Sequence, residues 1–196
     1  MQTKQWLIGL SGTNGAGKDS VGLLLAQKHD YLFMSVTELL RDEARKRGLP
    51  VERRYLREIS AEWRREFGYA VLVDRAVAQF EGLKSQYAGL VLASLRNPFE
   101  ADRVHELGGT MAWVDADPSV RYERIRSNAS ERNRGGEDDV TYDQFLAQQE
   151  AEMHPSGDEA TLDMAAVKTR CEITIINNSN DLMVLDHDIQ KTFALS

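Results

Sequence analysis

Residues 6–20 read WLIGLSGTNGAGKDS, and the order of parts in that stretch decides the fold. An apolar run, Trp6 to Leu10, leads into Gly12-Thr13-Asn14-Gly15-Ala16-Gly17-Lys18, and a helical pattern from Val21 to Ala26 follows at once. Strand, glycine-rich turn and helix start, in that order, are what a phosphate-binding loop requires. The glycines let the backbone close round a phosphate with its N–H groups pointing inward. The helix N-terminus adds a favourable dipole, and the Lys18 ammonium reaches the outer phosphates. One position departs from the pattern: Asp19 stands where a Ser or Thr usually follows the lysine, with Ser20 one place later. Two compatible readings are open for Asp19, a magnesium or magnesium-water contact and a charge matched to the helix dipole.

Working outward, short apolar runs at 5–10, 31–36, 89–95, 110–115 and 171–177 hardly alternate, as strands buried on both faces should. Helical patterns lie between and after them at 17–28, 37–47, 52–67, 69–82, 98–107, 118–128, 141–153 and 181–194. The alternation predicts a three-layer α/β/α fold around a five-stranded parallel sheet, and 196 residues suit one domain, 1–196. Ligands of such sheets gather at the carboxyl ends of the strands. The chemistry is therefore expected just after residues 10, 35, 95, 115 and 177.

Those edges hold the polar residues of interest. Ser35 or Thr37 caps the helix after the second strand, and Arg41 falls about one turn inside it. Arg96 stands at the third edge, ahead of Asn97 and Pro98, which read as a helix cap and a first helical residue. Arginines converging from neighbouring strand ends, beside a lysine-bearing loop, suit a bidentate grip on a second phosphate. An ordinary surface ion pair is the alternative for each. Asp117, before Pro118, reads as a helix cap, while Asp115 is open as a magnesium contact, and Asp19 and Asp115 are the nearest candidates should a base be needed. The segment 127–140, with Arg132, Arg134, Gly135 and Gly136, reads either as an arginine-bearing lid or as a solvated loop, since nearby carboxylates nearly cancel its arginines.

Composition narrows the classes. A net charge of −7 argues against a general nucleic-acid binder. Cys171 is the sole cysteine, which excludes an internal disulfide and a cysteine zinc cluster and fits a reducing cytosol. No apolar run approaches transmembrane length and no signal peptide precedes the first strand, so a cytoplasmic protein without membrane attachment is expected. The histidines at 29, 105, 154 and 187 show no ligand spacing, and Glu150 and Glu152 near His154 form no helical metal pair. Oligomeric state is not legible.

Taken in order, several motifs carry a resemblance. They are the phosphate loop, Ser-x-Thr-Glu-Leu-Leu-Arg at 35–41, Arg-Asn-Pro-x-Glu at 96–100, Val-Asp-Ala-x-Pro-x-x-Arg-x-x-Arg at 114–124 and Ile-Ile-Asn-Asn at 175–178. The chain resembles the adenylate-kinase-like and dephospho-CoA-kinase-like phosphate-loop kinases. It is most similar to small nucleotide-kinase-like ATPases that occur alone or fused to a deoxycytidylate deaminase.

The resemblance implies that Gly12 to Lys18 hold the phosphates of ATP, and that Arg41 and Arg96 grip the acceptor's phosphate. By the same likeness Arg124 is the first lid arginine, and Asn177 and Asn178 lie near the donor's base. Residues 48–82 become a helical acceptor-binding flap and 127–140 the lid. Two further departures stand beside Asp19. Asn128 replaces the second lid arginine, for which Arg126, Arg132 or Arg134 could substitute, and Ala93-Ser94 replaces an acidic residue ahead of Arg96. Magnesium then depends on Asp19, Ser20, Asp115 or water. The implied activity is magnesium-dependent phosphoryl transfer from ATP to a small-molecule phosphate acceptor, first a (deoxy)nucleoside monophosphate, with Lys18, Arg41, Arg96 and Arg124 as the charges that carry it. Dephospho-CoA-kinase-like activity and a nucleotide-binding regulator with little turnover are the alternatives.

Overall fold

The computed structural model describes residues 5–128, 140–154 and 157–195. Five strands form one parallel sheet: β1 (Leu7–Gly12), β2 (Tyr31–Ser35), β3 (Gly89–Ala93), β4 (Thr110–Asp115) and β5 (Ile173–Ile176), in the order β2-β3-β1-β4-β5. The phosphate-loop strand β1 is central and wholly buried, in register with Leu90 to Ala93 on one side and Thr110 to Val114 on the other. Side chains alternate between the two faces, each covered by its own apolar cluster. Leu7, Leu90, Leu92 and Met111 pack on one side; Ile8, Leu10, Val91, Ala112, Val114 and Ile175 pack on the other.

Helices α1 (Lys18–His29) and α9 (Leu182–Phe193) cover the second of these faces. Helices α3 (Arg53–Phe67), α4 (Val71–Glu81) and α5 (Pro98–Glu106) cover the first, together with α2 (Val36–Lys46). Helix α6 (Pro118–Ser127) follows β4, and α7 (Tyr142–Met153) packs on it through Tyr122, Tyr142 and Phe145. A five-residue helix, α8 (Met164–Lys168), precedes β5 and adds to the elements that periodicity predicts.

Residues 48–82 are less detached than a flap. Leu56, Ile59, Trp63, Val71, Leu72 and Phe80 all enter the same core as Leu7 and Leu90, while Val51 and the 53–64 face of α3 line a recess. Trp63 lies in that core, under the Arg75 guanidinium at 3.7 Å. Two expected caps also differ. Asn97 caps α5 in a reciprocal box with Glu100, whereas Ser35 and Asp117 occupy the cap positions of α2 and α6 without a side-chain capping bond. The lid arginines Arg132 and Arg134 lie outside the described residues.

Candidate active site

The phosphate loop is shaped by contacts that admit no side chain. A Cβ on Gly12, whose φ is +136°, would meet the Val114 carbonyl oxygen at 1.9 Å. Gly15 is pressed against the Arg121 backbone and Gly17 against the Asn177 amide, both at positive φ. Gly17 starts α1 in the left-handed region with no side-chain cap, so the first amides of the helix are left for an anion. Lys18 is almost wholly buried and donates from Nζ to the carbonyls of Gly12 (2.9 Å) and Thr13 (2.7 Å). Asn177 braces the loop from β5, donating from Nδ2 to Ala16 O at 2.9 Å.

Asp115 corrects the sequence reading. Its carboxylate accepts from Thr13 Oγ1 (2.7 Å), the Ala116 amide (2.9 Å) and Trp113 Nε1 (3.3 Å), and lies 3.7 Å from Arg121 Nε. It is a strut behind the loop, committed to the fold, and does not line the cleft. Replacing it with alanine is expected to cost about 1–3 kcal/mol, the penalty for buried donors left unpaired, and to weaken nucleotide binding severalfold. Urea denaturation and ATP titration of the variant check both effects.

A cleft of about 800 Å³ opens at the carboxyl edge of the sheet. Asn14, Gly15, Gly17, Lys18, Asp19 and Ser20 line it from the loop, Ser35, Thr37 and Arg41 from the second strand edge, and Ser94 and Arg96 from the third. Arg124, Asn128 and Asn177 line its other end. Ser94 holds a φ of +70°, strained for a non-glycine residue, where β3 turns into the cleft. Arg124 donates to Asn177 O (2.8 Å), Ser179 O (2.6 Å) and Asn180 Oδ1 (2.9 Å), which fixes it to the loop after β5. Asn178 points away, accepting the Asp117 amide at 2.8 Å, and is absent from the cleft lining.

Beside this cleft lies a recess of about 80 Å³ that sequence reasoning missed in part. Arg41 and Arg96 reach it as expected, and Arg53 and Arg57 join them from α3. The spacing 53, 57, 60, 64 puts these arginines, Ser60 and Arg64 on one helical face, a pattern visible in the sequence. Arg41 also pairs with Glu38 on its own helix. Glu152 of α7 enters the same cluster: Oε1 accepts from Arg57 Nη2 (2.8 Å) and lies 3.9 Å from Arg53 Nη1, while Oε2 accepts from Arg96 Nη1 (3.3 Å). Burial alone pushes the Glu152 carboxyl up, but the combined charges of Arg96, Arg53, Arg57 and Lys18 outweigh it and hold it below the usual carboxylate range. Its stabilising pairing is therefore in place at neutral pH and is lost only as the pH falls through that lowered value.

Behind the recess, the Arg64 guanidinium and the Glu100 carboxylate form a buried pair at 2.6 Å. Oε2 of Glu100 accepts the amides of Arg96 (2.9 Å) and Asn97 (3.1 Å), so the pair fixes the backbone from which Arg96 projects. Cys171 has its thiol pushed up to about 12 by burial, which leaves it inert. Among the described residues no cluster of three or more His, Cys, Asp or Glu forms a metal site, and no helix is long and apolar enough to cross a membrane.

The model of a family described as "AAA domain" matches residues 8–144, from β1 through α6 to the first residues of α7, and so includes the phosphate loop. The chain belongs to this AAA domain family, AAA_18. The chain is similar to a UPF0200 protein of Pyrobaculum aerophilum, 26% identical over 190 residues covering 94% of this chain and 95% of that protein. Its fold matches shikimate kinase from Bacteroides thetaiotaomicron with a TM-score of 0.56, 16% identity and 96% of each chain covered. A gluconokinase from Sinorhizobium meliloti matches with a TM-score of 0.54, 18% identity and 98% and 94% of the two chains covered. At those identities the likeness establishes a shared kinase-like fold and nothing more.

Proposed function

We propose that this protein transfers the terminal phosphoryl group of ATP to a small acceptor that already carries a phosphate, most simply a (deoxy)nucleoside monophosphate. The observation that carries this reading is the second cationic site. Arg41, Arg53, Arg57 and Arg96 line a recess beside the lysine of the phosphate loop, in the position a second phosphate would need. Transfer between phosphates needs placement and charge neutralisation more than covalent chemistry. Lys18 and the open amides of α1 would hold the donor, and the arginines the acceptor. Asp19 and Ser20 offer the hard oxygen donors magnesium prefers at the lip of the cleft, and magnesium there would neutralise charge on the donor phosphates.

A hydroxyl acceptor, as in dephospho-CoA, would require a general base. Asp115 is bound behind the loop and Glu152 is held below the usual carboxylate range by arginines, which suits neither to that role. Asp19, the other candidate, is taken up with magnesium in this reading. A phosphate oxyanion needs no base, which favours the phosphate-bearing acceptor. A regulator with slow turnover is the second reading, supported by Ala93 and Ser94 at the end of β3, which place no carboxylate ahead of Arg96.

Equilibrium titration separates the two sites. Arg96→Ala is expected to weaken nucleoside monophosphate binding about 10- to 100-fold, the loss of a charge-assisted contact, and to leave ATP affinity within about twofold. Lys18→Ala is expected to do the reverse. Equal loss of ATP affinity in both variants contradicts the acceptor assignment.

A further inference from the structure

Glu152 is the one element of the arginine cluster that an acceptor-binding role does not explain. It reaches over from α7, 95 residues from Arg57 in the chain, and its side chain is only 14% exposed. One carboxylate oxygen bonds Arg57, the other bonds Arg96, and Arg53 stands 3.9 Å away. Arg96 belongs to the edge of β3 and Arg53 and Arg57 to α3. The carboxylate thus sits where one anion bridges the parts of the structure that a bound phosphate would bridge.

We propose that Glu152 is an internal stand-in for the acceptor's phosphate and sets the charge the acceptor must carry. This rests on the acceptor-site reading above. A neutral sugar or alcohol has nothing to offer the arginines in exchange for the carboxylate. A monoanionic carboxylate exchanges like for like and gains little. A phosphomonoester dianion brings twice the charge and three oxygens to a cluster in which one carboxylate faces Arg96, Arg53, Arg57 and Lys18. It displaces Glu152, and the ion pairs it gains exceed those it breaks. The substrate class is therefore a phosphomonoester, selected against uncharged and monoanionic analogues by a competing side chain rather than by a shaped pocket.

The test fills the phosphate loop with a non-hydrolysable ATP analogue and titrates inorganic phosphate, then acetate, into the wild type and Glu152→Gln, read by calorimetry and thermal shift. Removing the competing charge is expected to tighten phosphate binding about tenfold and to let acetate bind where the wild type takes none. Adding Arg57→Ala to Glu152→Gln should abolish the gain, which places it at this cluster. If Glu152→Gln does not fold, Glu152→Asp decides, since the shorter side chain cannot span both arginines and should also tighten phosphate. Unchanged or weaker phosphate binding in the variant that folds overturns the proposal, as that result makes Glu152 a ligand for the acceptor or a purely structural ion pair. Because the titration reads binding and not turnover, its failure is distinct from a failure to find transfer.

Discussion

Lys18→Ala is expected to cut ATP-dependent turnover on the order of 100- to 1,000-fold, the cost of removing one preorganised charge from a transferring phosphoryl group, while costing no more than about 1–2 kcal/mol of stability. The ammonium is buried at the start of α1 and bonds the carbonyls of Gly12 and Thr13. Those carbonyls belong to the loop that an incoming phosphate would fill, so the lysine is held beside its work. Alanine leaves the carbonyls short of a donor but also removes a desolvated cation, and the two effects on stability oppose one another. On the chemical side nothing replaces the charge, because Arg124 is fixed to the loop after β5 and Arg96 is engaged with Glu152. ADP release by Lys18→Ala within about threefold of the wild type would contradict this role.

Arg64→Ala is expected to lose about 3–5 kcal/mol, the penalty for leaving a buried charge without its partner. Both side chains of the Arg64–Glu100 pair are shielded from solvent, at 2% and 0% exposure. The guanidinium gives Nε and Nη2 to one oxygen of Glu100, and Nη1 to Ala160 O at 2.8 Å and Ser60 Oγ at 3.3 Å. Alanine therefore strands the carboxylate and the Ala160 carbonyl together. The exposed pair one residue along, Arg65 with Asp158, serves as the control, and its removal should cost no more than about 1 kcal/mol. The loss at Arg64 also reaches the site, because Glu100 holds the amides of Arg96 and Asn97. Urea denaturation should show the large loss, and monophosphate binding should weaken in buffer where the variant is folded. A change under 1 kcal/mol would mean that the pair is already offset by its own desolvation.

The parts of this arrangement that the sequence discloses are the local ones. Leu7 to Gly12, Leu90 to Ala93 and Met111 to Val114 are strands buried on both faces, and such strands show as unbroken apolar runs. Gly12, Gly15 and Gly17 fix the loop within a few residues of Lys18, and Asn97-Pro98-Phe99-Glu100 spells out its own cap. What the sequence conceals is what depends on distant partners. Glu152 carries no local signal: its arginines lie 56 and 95 residues away, and its nearest charged neighbours, Glu150 and His154, pair with each other on another side of α7. Asp115 misleads for a related reason. Its place at the end of β4 predicts a cleft residue, but its carboxylate turns back to Thr13, Trp113 and its neighbour's amide. Arg53 and Arg57 fall between these cases, since their spacing along α3 is plain but nothing in it says which way that face looks. The helix Met164–Lys168 is too short for any period to show.

The most direct test of the account is a phosphotransferase panel. ADP formation from ATP and magnesium is followed with each ribo- and deoxynucleoside monophosphate, with dephospho-CoA and with uncharged sugars, using Lys18→Ala as the blank. The account predicts ADP formation that depends on a phosphomonoester acceptor and disappears in the Lys18 variant. Transfer to an uncharged sugar in preference to every phosphomonoester, or tight ATP binding with no acceptor-dependent turnover across the panel, would contradict it.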